Sequence, residues 1–371
     1  MPPFFAGDDM EPKGLYIHIP FCNGKCPYCD FYSVSPDSKT VKNYVDAVCR
    51  EIDNSNSIFD TVYFGGGTPS LIGSDNIAKI MGHINRSDGC EATLECNPSD
   101  TGRINPTFDF ATVSQSGINR ISMGLQSADN RERTVLGRRG GREDVERAVL
   151  RATSAGINNI SLDLMLGIPH QTKESLSKSI DFCKNSGAKH VSAYILKIEE
   201  GTPFYSIKNT LELPDEDETC DLYLHAVSEL EKAGFYQYEI SNFSHKGFES
   251  KHNLKYWRCE EYLGVGASAH SFFNGKRFYY ERSIADFVRG KPPVDDGEGG
   301  DEDEYIMLAL RLTEGLVFNN FRNRFGKDFS EDKIKKAKNL EKAGLLTVTE
   351  NGISLTVKGF LVSNSVISSL I

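Results

Sequence analysis

Three cysteines within eight residues carry the strongest chemical signal in the chain. Cys22, Cys26 and Cys29 stand in Cys-x-x-x-Cys-x-x-Cys spacing and present three thiols from a single loop. Thiolates are soft ligands suited to zinc and to iron–sulfur clusters. Tetrahedral zinc usually takes four protein ligands; no second cysteine pair lies nearby, although His18 stands close before Cys22. A cubane cluster held by three cysteines leaves one iron without a protein ligand, and that iron binds a small molecule. The bland alternative is three thiols in a loop. The other six cysteines (Cys49, Cys90, Cys96, Cys183, Cys220 and Cys259) are scattered, as buried structural thiols usually are. A second signal is Gly65-Gly66-Gly67-Thr68-Pro69. Residues without side chains let a backbone approach a ligand closely.

These residues need a scaffold, and the apolar periodicity supplies one. Short apolar runs at Leu15–Pro20, Thr61–Phe64, Ala92–Cys96, Arg120–Gly124, Ile160–Leu166 and His190–Leu196 read as strands. Amphipathic stretches near Val41–Ile52, Asp75–Ile84, Phe108–Ser116, Arg142–Ala155, Lys173–Asn185 and Glu216–Ala233 alternate with them as helices. Six β-α units in series predict a parallel sheet with helices outside. The cysteines follow strand one and the glycine run follows strand two. Glu95-Cys-Asn-Pro ends strand three, Gln126-Ser follows strand four, and Asp163 lies within strand five. One rim collecting residues from several strands is how a barrel builds a site, whereas an open nucleotide-binding sheet concentrates them at one switch point. The pattern predicts an α/β fold with an incomplete six-unit barrel.

After about Tyr236 the rhythm breaks. Residues 236–280 are rich in aromatics and glycine, and 291–303 read as an acidic surface linker. Beyond it, Glu304–Leu312, Phe318–Phe325 and Glu331–Ala343 read as helices. A hairpin around Asn351-Gly352 and a last helix from Val357 follow, in winged-helix-like order. The expected division is a tail at 1–14, a barrel at 15–235, a flanking segment at 236–300 and a mostly helical carboxyl-terminal domain at 301–371.

Composition sets limits. The 371 residues are 39% hydrophobic and 25% charged, as in ordinary globular proteins. A net charge of −10 argues against general electrostatic binding of nucleic acid. No run approaches the roughly 18 apolar residues of a membrane span, and the acidic start lacks the features of a secretory signal. A cytoplasmic location is expected.

The cysteine loop with the glycine turn resembles the radical S-adenosylmethionine (SAM) superfamily. Tyr16-Ile-His-Ile-Pro-Phe-Cys22, Gly-Gly-Gly-Thr-Pro-Ser, Glu95-Cys-Asn-Pro, Arg120-Ile-Ser-Met-Gly-Leu-Gln126-Ser, Leu136-Gly-Arg138 and Asp163-Leu-Met-Leu-Gly-Ile-Pro narrow the likeness. They resemble the oxygen-independent coproporphyrinogen III oxidase group over nearly the whole chain. That resemblance implies a [4Fe-4S] cluster on Cys22, Cys26 and Cys29, reduced by an electron donor. It implies SAM contacts from Tyr16, Tyr28, Gly66, Gly67, Thr68, Glu95, Gln126, Arg138 and Asp163. Gly140, where relatives often have His, and Cys96, where Ala is usual, depart from the pattern.

Within the group, two functions compete. One is oxidative decarboxylation of coproporphyrinogen III. The other is haem binding and delivery by the HemW-type haem chaperones. The oxidases carry a further cysteine where this chain has Phe31, and they have a longer stretch before the cluster loop than the 21 residues preceding Cys22. His252-Asn-Leu-Lys-Tyr256-Trp257 resembles the HemW signature His-Asn-x-x-Tyr-Trp. The resemblance therefore implies haem as a further cofactor with His252 as its ligand, although a lone His beside aromatics is more often structural. The implied partners are acceptor haemoproteins such as respiratory cytochromes, reached by peripheral membrane contact at most. The resemblance is also compatible with a homodimer, which nothing in the sequence decides. No catalytic residue is assigned, and whether the protein is an enzyme stays open.

Overall fold

A computed structural model describes residues 12–101 and 107–371. Residues 1–11, most of the expected tail, lie outside the described residues; Lys13 and Gly14 already belong to the first strand. That strand, β1 (Lys13–Ile19), is followed by β2 (Phe59–Gly66), β3 (Arg86–Cys96), β4 (Arg120–Gln126), β5 (Asn159–Leu166) and β6 (His190–Ile195). All five neighbouring pairs are parallel. Each strand splits by alternation. Leu15, Ile17, Val62, Phe64, Leu94, Ile121, Met123, Leu162, Leu164 and Val191 are fully buried and share the apolar core. The intervening residues, among them Tyr16, Tyr63, Glu95, Ser122 and Asp163, form the other face.

The helices start where capping residues satisfy free amide groups. Asp37, Asp109, Thr172 and Asp215 accept from Thr40, Thr112, Ser175 and Glu218 N–H. The segments that follow the first and last of these six strands meet. Phe204, after β6, donates its N–H to Pro27 O at 3.0 Å, and its ring lies 6.3 Å from that of Tyr28, after β1. The barrel stays incomplete, because further strands extend the sheet at both edges.

Those strands come from the segment where the sequence showed no β-α rhythm. β7 (Tyr236–Gln237) and β8 (Asn242–Ser244) pair beyond β6. β9 (Tyr262–Val265) runs parallel to β1, followed outward by β10 (His270–Phe273), β11 (Lys276–Tyr279) and β12 (Val294–Glu298). The expected linker at 291–303 is thus corrected: it contains an edge strand. Its Val-Asp-Asp-Gly-Glu sequence hides it, since acidic residues on an edge discourage pairing with other chains.

The remaining chain has the order helix, β13 (Leu316–Val317), two helices, β14 (Leu346–Val348) and β15 (Gly352–Leu355). β14 and β15 form the expected hairpin, and β13, not among the expected strands, pairs with the other edge of β15 to make a three-stranded sheet. The expected last helix is two short ones, Val357–Leu361 and Ser363–Ser368, broken at Val362. This part is stitched to the barrel by Ile240 N–H on Arg311 O at 2.9 Å and Thr313 N–H on Tyr238 O at 3.0 Å. No helix among the described residues is long and apolar enough to cross a membrane.

Candidate functional site

The cysteine loop leaves the carboxyl end of β1 and is tied at its base. Val34 N–H reaches Pro20 O at 2.8 Å and Cys22 N–H reaches Val34 O at 2.9 Å. All three thiols are free and half-buried, and burial pushes the Cys22 and Cys29 thiols up from their ordinary value. Among the described residues, no three His, Cys, Asp or Glu side chains gather closely enough to hold a single metal ion. A tetrahedral zinc with bonds of 2.3 Å needs its sulfurs about 3.8 Å apart. A cubane takes each thiolate on a different iron, so it tolerates wider spacing.

The glycine turn is zipped to this loop. Gly67 N–H bonds Ile19 O at 2.9 Å and Thr68 N–H bonds Phe21 O at 2.7 Å, while the Thr68 hydroxyl points at Cys22 Sγ, 3.8 Å away. A Cβ on Gly67 would lie 2.5 Å from Phe21 O, so this approach requires glycine. Gly66 adopts φ +108° and directs its N–H to Glu95. The amides of Gly66, Gly67 and Thr68 are therefore all engaged, tying the glycine turn to Glu95 on one side and to the cysteine loop on the other.

Across the barrel, Glu95 accepts from the Tyr63 hydroxyl at 2.7 Å; burial is the main reason its carboxyl is pushed up to about 7. Asp163 accepts from the Ser122 hydroxyl at 3.2 Å and burial lifts it to about 6. Gln126 sits at a one-residue slip between β4 and β5, with φ +66°, and its Oε1 accepts from Tyr194 at 2.9 Å. The bulge turns a buried amide inward. Arg138 donates to Gly124 O at 2.8 Å and approaches Cys26 Sγ at 3.9 Å; its buried Nε has no partner. Tyr16 bonds His18 Nδ1 at 3.1 Å, and His18 Nε2 meets Tyr32 O at 3.3 Å. His18 is thus engaged away from the thiols, and burial lowers it to about 4. Tyr28 packs in a small apolar cluster with Leu136, Met165, Ile168 and Phe204.

The structure brings Cys22, Cys26, Tyr28, Gly66, Gly67, Thr68, Glu95 and Arg138 into one linked constellation, with Gln126 and Asp163 on the same lining. His252 is elsewhere. It lies on the Lys251–Trp257 helix, which covers the amino-terminal end of the barrel strands. There it is fully buried, with Nδ1 on Thr61 at 2.9 Å and Nε2 on the Tyr256 hydroxyl at 2.8 Å. In this conformation neither ring nitrogen of the expected haem ligand is free, and burial lowers the imidazole to about 3. Tyr63, Arg120 and Tyr194 were missed by sequence reasoning. Each lies within a strand, where only the register shows which face a side chain joins.

The fold and this lining define a radical SAM superfamily protein. The model of that superfamily matches residues 16–183, and the HemN C-terminal domain model matches 303–362. The solved structure of coproporphyrinogen III oxidase (HemN) from Escherichia coli has the same fold, with a TM-score of 0.80 at 19% identity, covering 97% of this chain and 90% of that one. Heme chaperone HemW of Bacillus subtilis (strain 168) is 34% identical, covering 97% of this chain and 99% of the relative. Heme chaperone HemW of Mycobacterium tuberculosis (strain H37Rv) is 31% identical, covering 97% and 95%. The chain belongs to the HemW family.

Proposed function

We propose that this protein is a haem chaperone that holds a [4Fe-4S] cluster and SAM in its barrel and passes haem to acceptor haemoproteins. The observation that carries the reading is the cysteine loop bonded along the glycine turn, in a chain akin to heme chaperone HemW over nearly its full length. The donor set fits the cofactors. Cys22, Cys26 and Cys29 would hold the cluster, whose role when bound is to supply an electron to the SAM sulfonium. Tyr16, Gly66, Glu95, Gln126, Arg138 and Asp163 would orient SAM, with Gly67, Thr68 and Tyr28 fixing the loop that carries the thiols. Glu95 and Asp163 accept hydrogen bonds from hydroxyl or amino groups, and Arg138 places positive charge beside Cys26. His252 would ligate haem only after its Nε2 leaves the Tyr256 hydroxyl.

Anaerobic reconstitution tests this. The parent should take up four iron and four sulfide per chain, show a paramagnetic signal altered by SAM, and develop a Soret band with haem that disappears on adding an apo-haemoprotein. Cys26→Ser should abolish the cluster signal. Conversion of coproporphyrinogen III by the parent, without haem transfer, would establish the oxidase function instead.

A further inference from the structure

The buried His252 has a consequence for the opposite end of the barrel. Its ring stacks on Tyr63, with centroids 5.2 Å apart and planes at 26°. The ring of Tyr63 also stacks with that of Tyr16, centroids 6.2 Å apart. Its hydroxyl donates to Glu95 Oε1 at 2.7 Å. His252 is itself fixed at three points: Thr61, the Tyr256 hydroxyl, and its own N–H on Glu91 Oε1 at 3.2 Å. A flat ring stacked with two neighbours, one of them anchored by three hydrogen bonds, keeps one orientation, so the hydroxyl stays where the carboxylate needs it.

Resting on the reading of Glu95 as a SAM contact, we infer that His252 is a positioning residue for the SAM site: through Tyr63 it holds Glu95. The Lys251–Trp257 helix thereby builds part of the SAM site from the far end of the barrel. Glu95 is faced by Tyr63 from β2, Tyr16 from β1, Arg120 from β4, Asp163 from β5 and Tyr256 from the helix. The Tyr63 hydrogen bond and Arg120 favour the carboxylate; burial and Asp163 oppose it. Removing the Tyr63 hydroxyl therefore raises Glu95 further, and the ionised form appears at higher pH.

The test measures SAM affinity of the cluster-loaded, haem-free protein between about pH 5.5 and about pH 8.5, spanning the Glu95 titration. In the parent, binding should strengthen as pH rises through about 7, when Glu95 ionises. Tyr63→Phe, which deletes one oxygen, should weaken binding about tenfold near neutrality and move the midpoint upward. His252→Ala should move it the same way, and His252→Phe, which keeps a flat ring against Tyr63, should restore it. Circular dichroism and cluster absorbance verify that each variant is folded. An unchanged affinity in Tyr63→Phe and His252→Ala, or a loss equal at every pH, overturns the inference. A parent that fails to bind SAM overturns instead the reading on which it rests.

Discussion

At the scale of single residues, the site depends on groups that are absent as much as on groups present. Gly67 lies against the Phe21 carbonyl with no room for a methyl group, and its amide is bonded to Ile19. Gly67→Ala must push the glycine turn off the cysteine loop, because the obstructing atoms are backbone. The expected outcome is a loss of about 1–3 kcal/mol in stability, by analogy with overpacking. SAM binding should fall more than cluster content, since the base of the cysteine loop keeps its Cys22–Val34 and Val34–Pro20 hydrogen bonds. A denaturant titration and a SAM titration on the same preparation check both parts; an affinity equal to the parent's would refute the assignment of this turn. Residue types made much of the site readable beforehand. Cysteine spacing and consecutive glycines are rare enough to stand out. Tyr63 was not readable, because a tyrosine in an apolar strand looks like core until the register shows which face it lies on. The surroundings of His252 were not readable for a related reason. Its motif announces an imidazole among aromatics, but sequence does not state whether both ring nitrogens are already engaged.

At the scale of elements, the six parallel strands were legible because their apolar alternation is strong, and the structure begins five of them within about two residues of the reading, while β3 starts at Arg86, six residues before Ala92. The strands from β7 to β13 were not. They are two to five residues long, several sit at the sheet's edge, and their stability comes from neighbours distant in sequence. β9 shows what they contribute. It pairs with β1 on one side and β10 on the other, and a Cβ on Gly264 would collide with the His270 carbonyl oxygen. Gly264→Ala should therefore separate β9 from β10 and lower stability by about 2–3 kcal/mol. If the flanking strands are one cooperative unit with the barrel, fluorescence of Trp257, the chain's one tryptophan, and far-ultraviolet dichroism should shift together on heating. Two separated transitions would mean that the segment melts independently.

At the scale of the whole molecule, the junction between the barrel and the carboxyl-terminal part contains a buried acid. Glu239 is fully buried beside the backbone bridge to Leu312, and burial pushes its carboxyl up to about 7. Its oxygens make no full hydrogen bond, only looser approaches from Ser241 and Asn242, and Arg311 supplies the nearest favourable charge. Folding therefore favours the protonated acid. The folded value lies above the ordinary carboxylate range, so the stabilisation is complete below that range and is lost as pH rises through about 7. Glu95 and Asp163 act in the same sense, whereas His18 and His252, held neutral by burial, make folding less favourable as pH falls below the ordinary histidine range. These opposing slopes hide Glu239 in the parent's own profile, so the informative quantity is a difference. Glu239→Gln keeps the shape and removes the ionisation. Relative to the parent, it should gain about 1–3 kcal/mol on going from pH 5 to pH 8. Parallel stability curves for the two proteins across that range would show that this carboxyl ionises no differently in the folded chain than in the unfolded one.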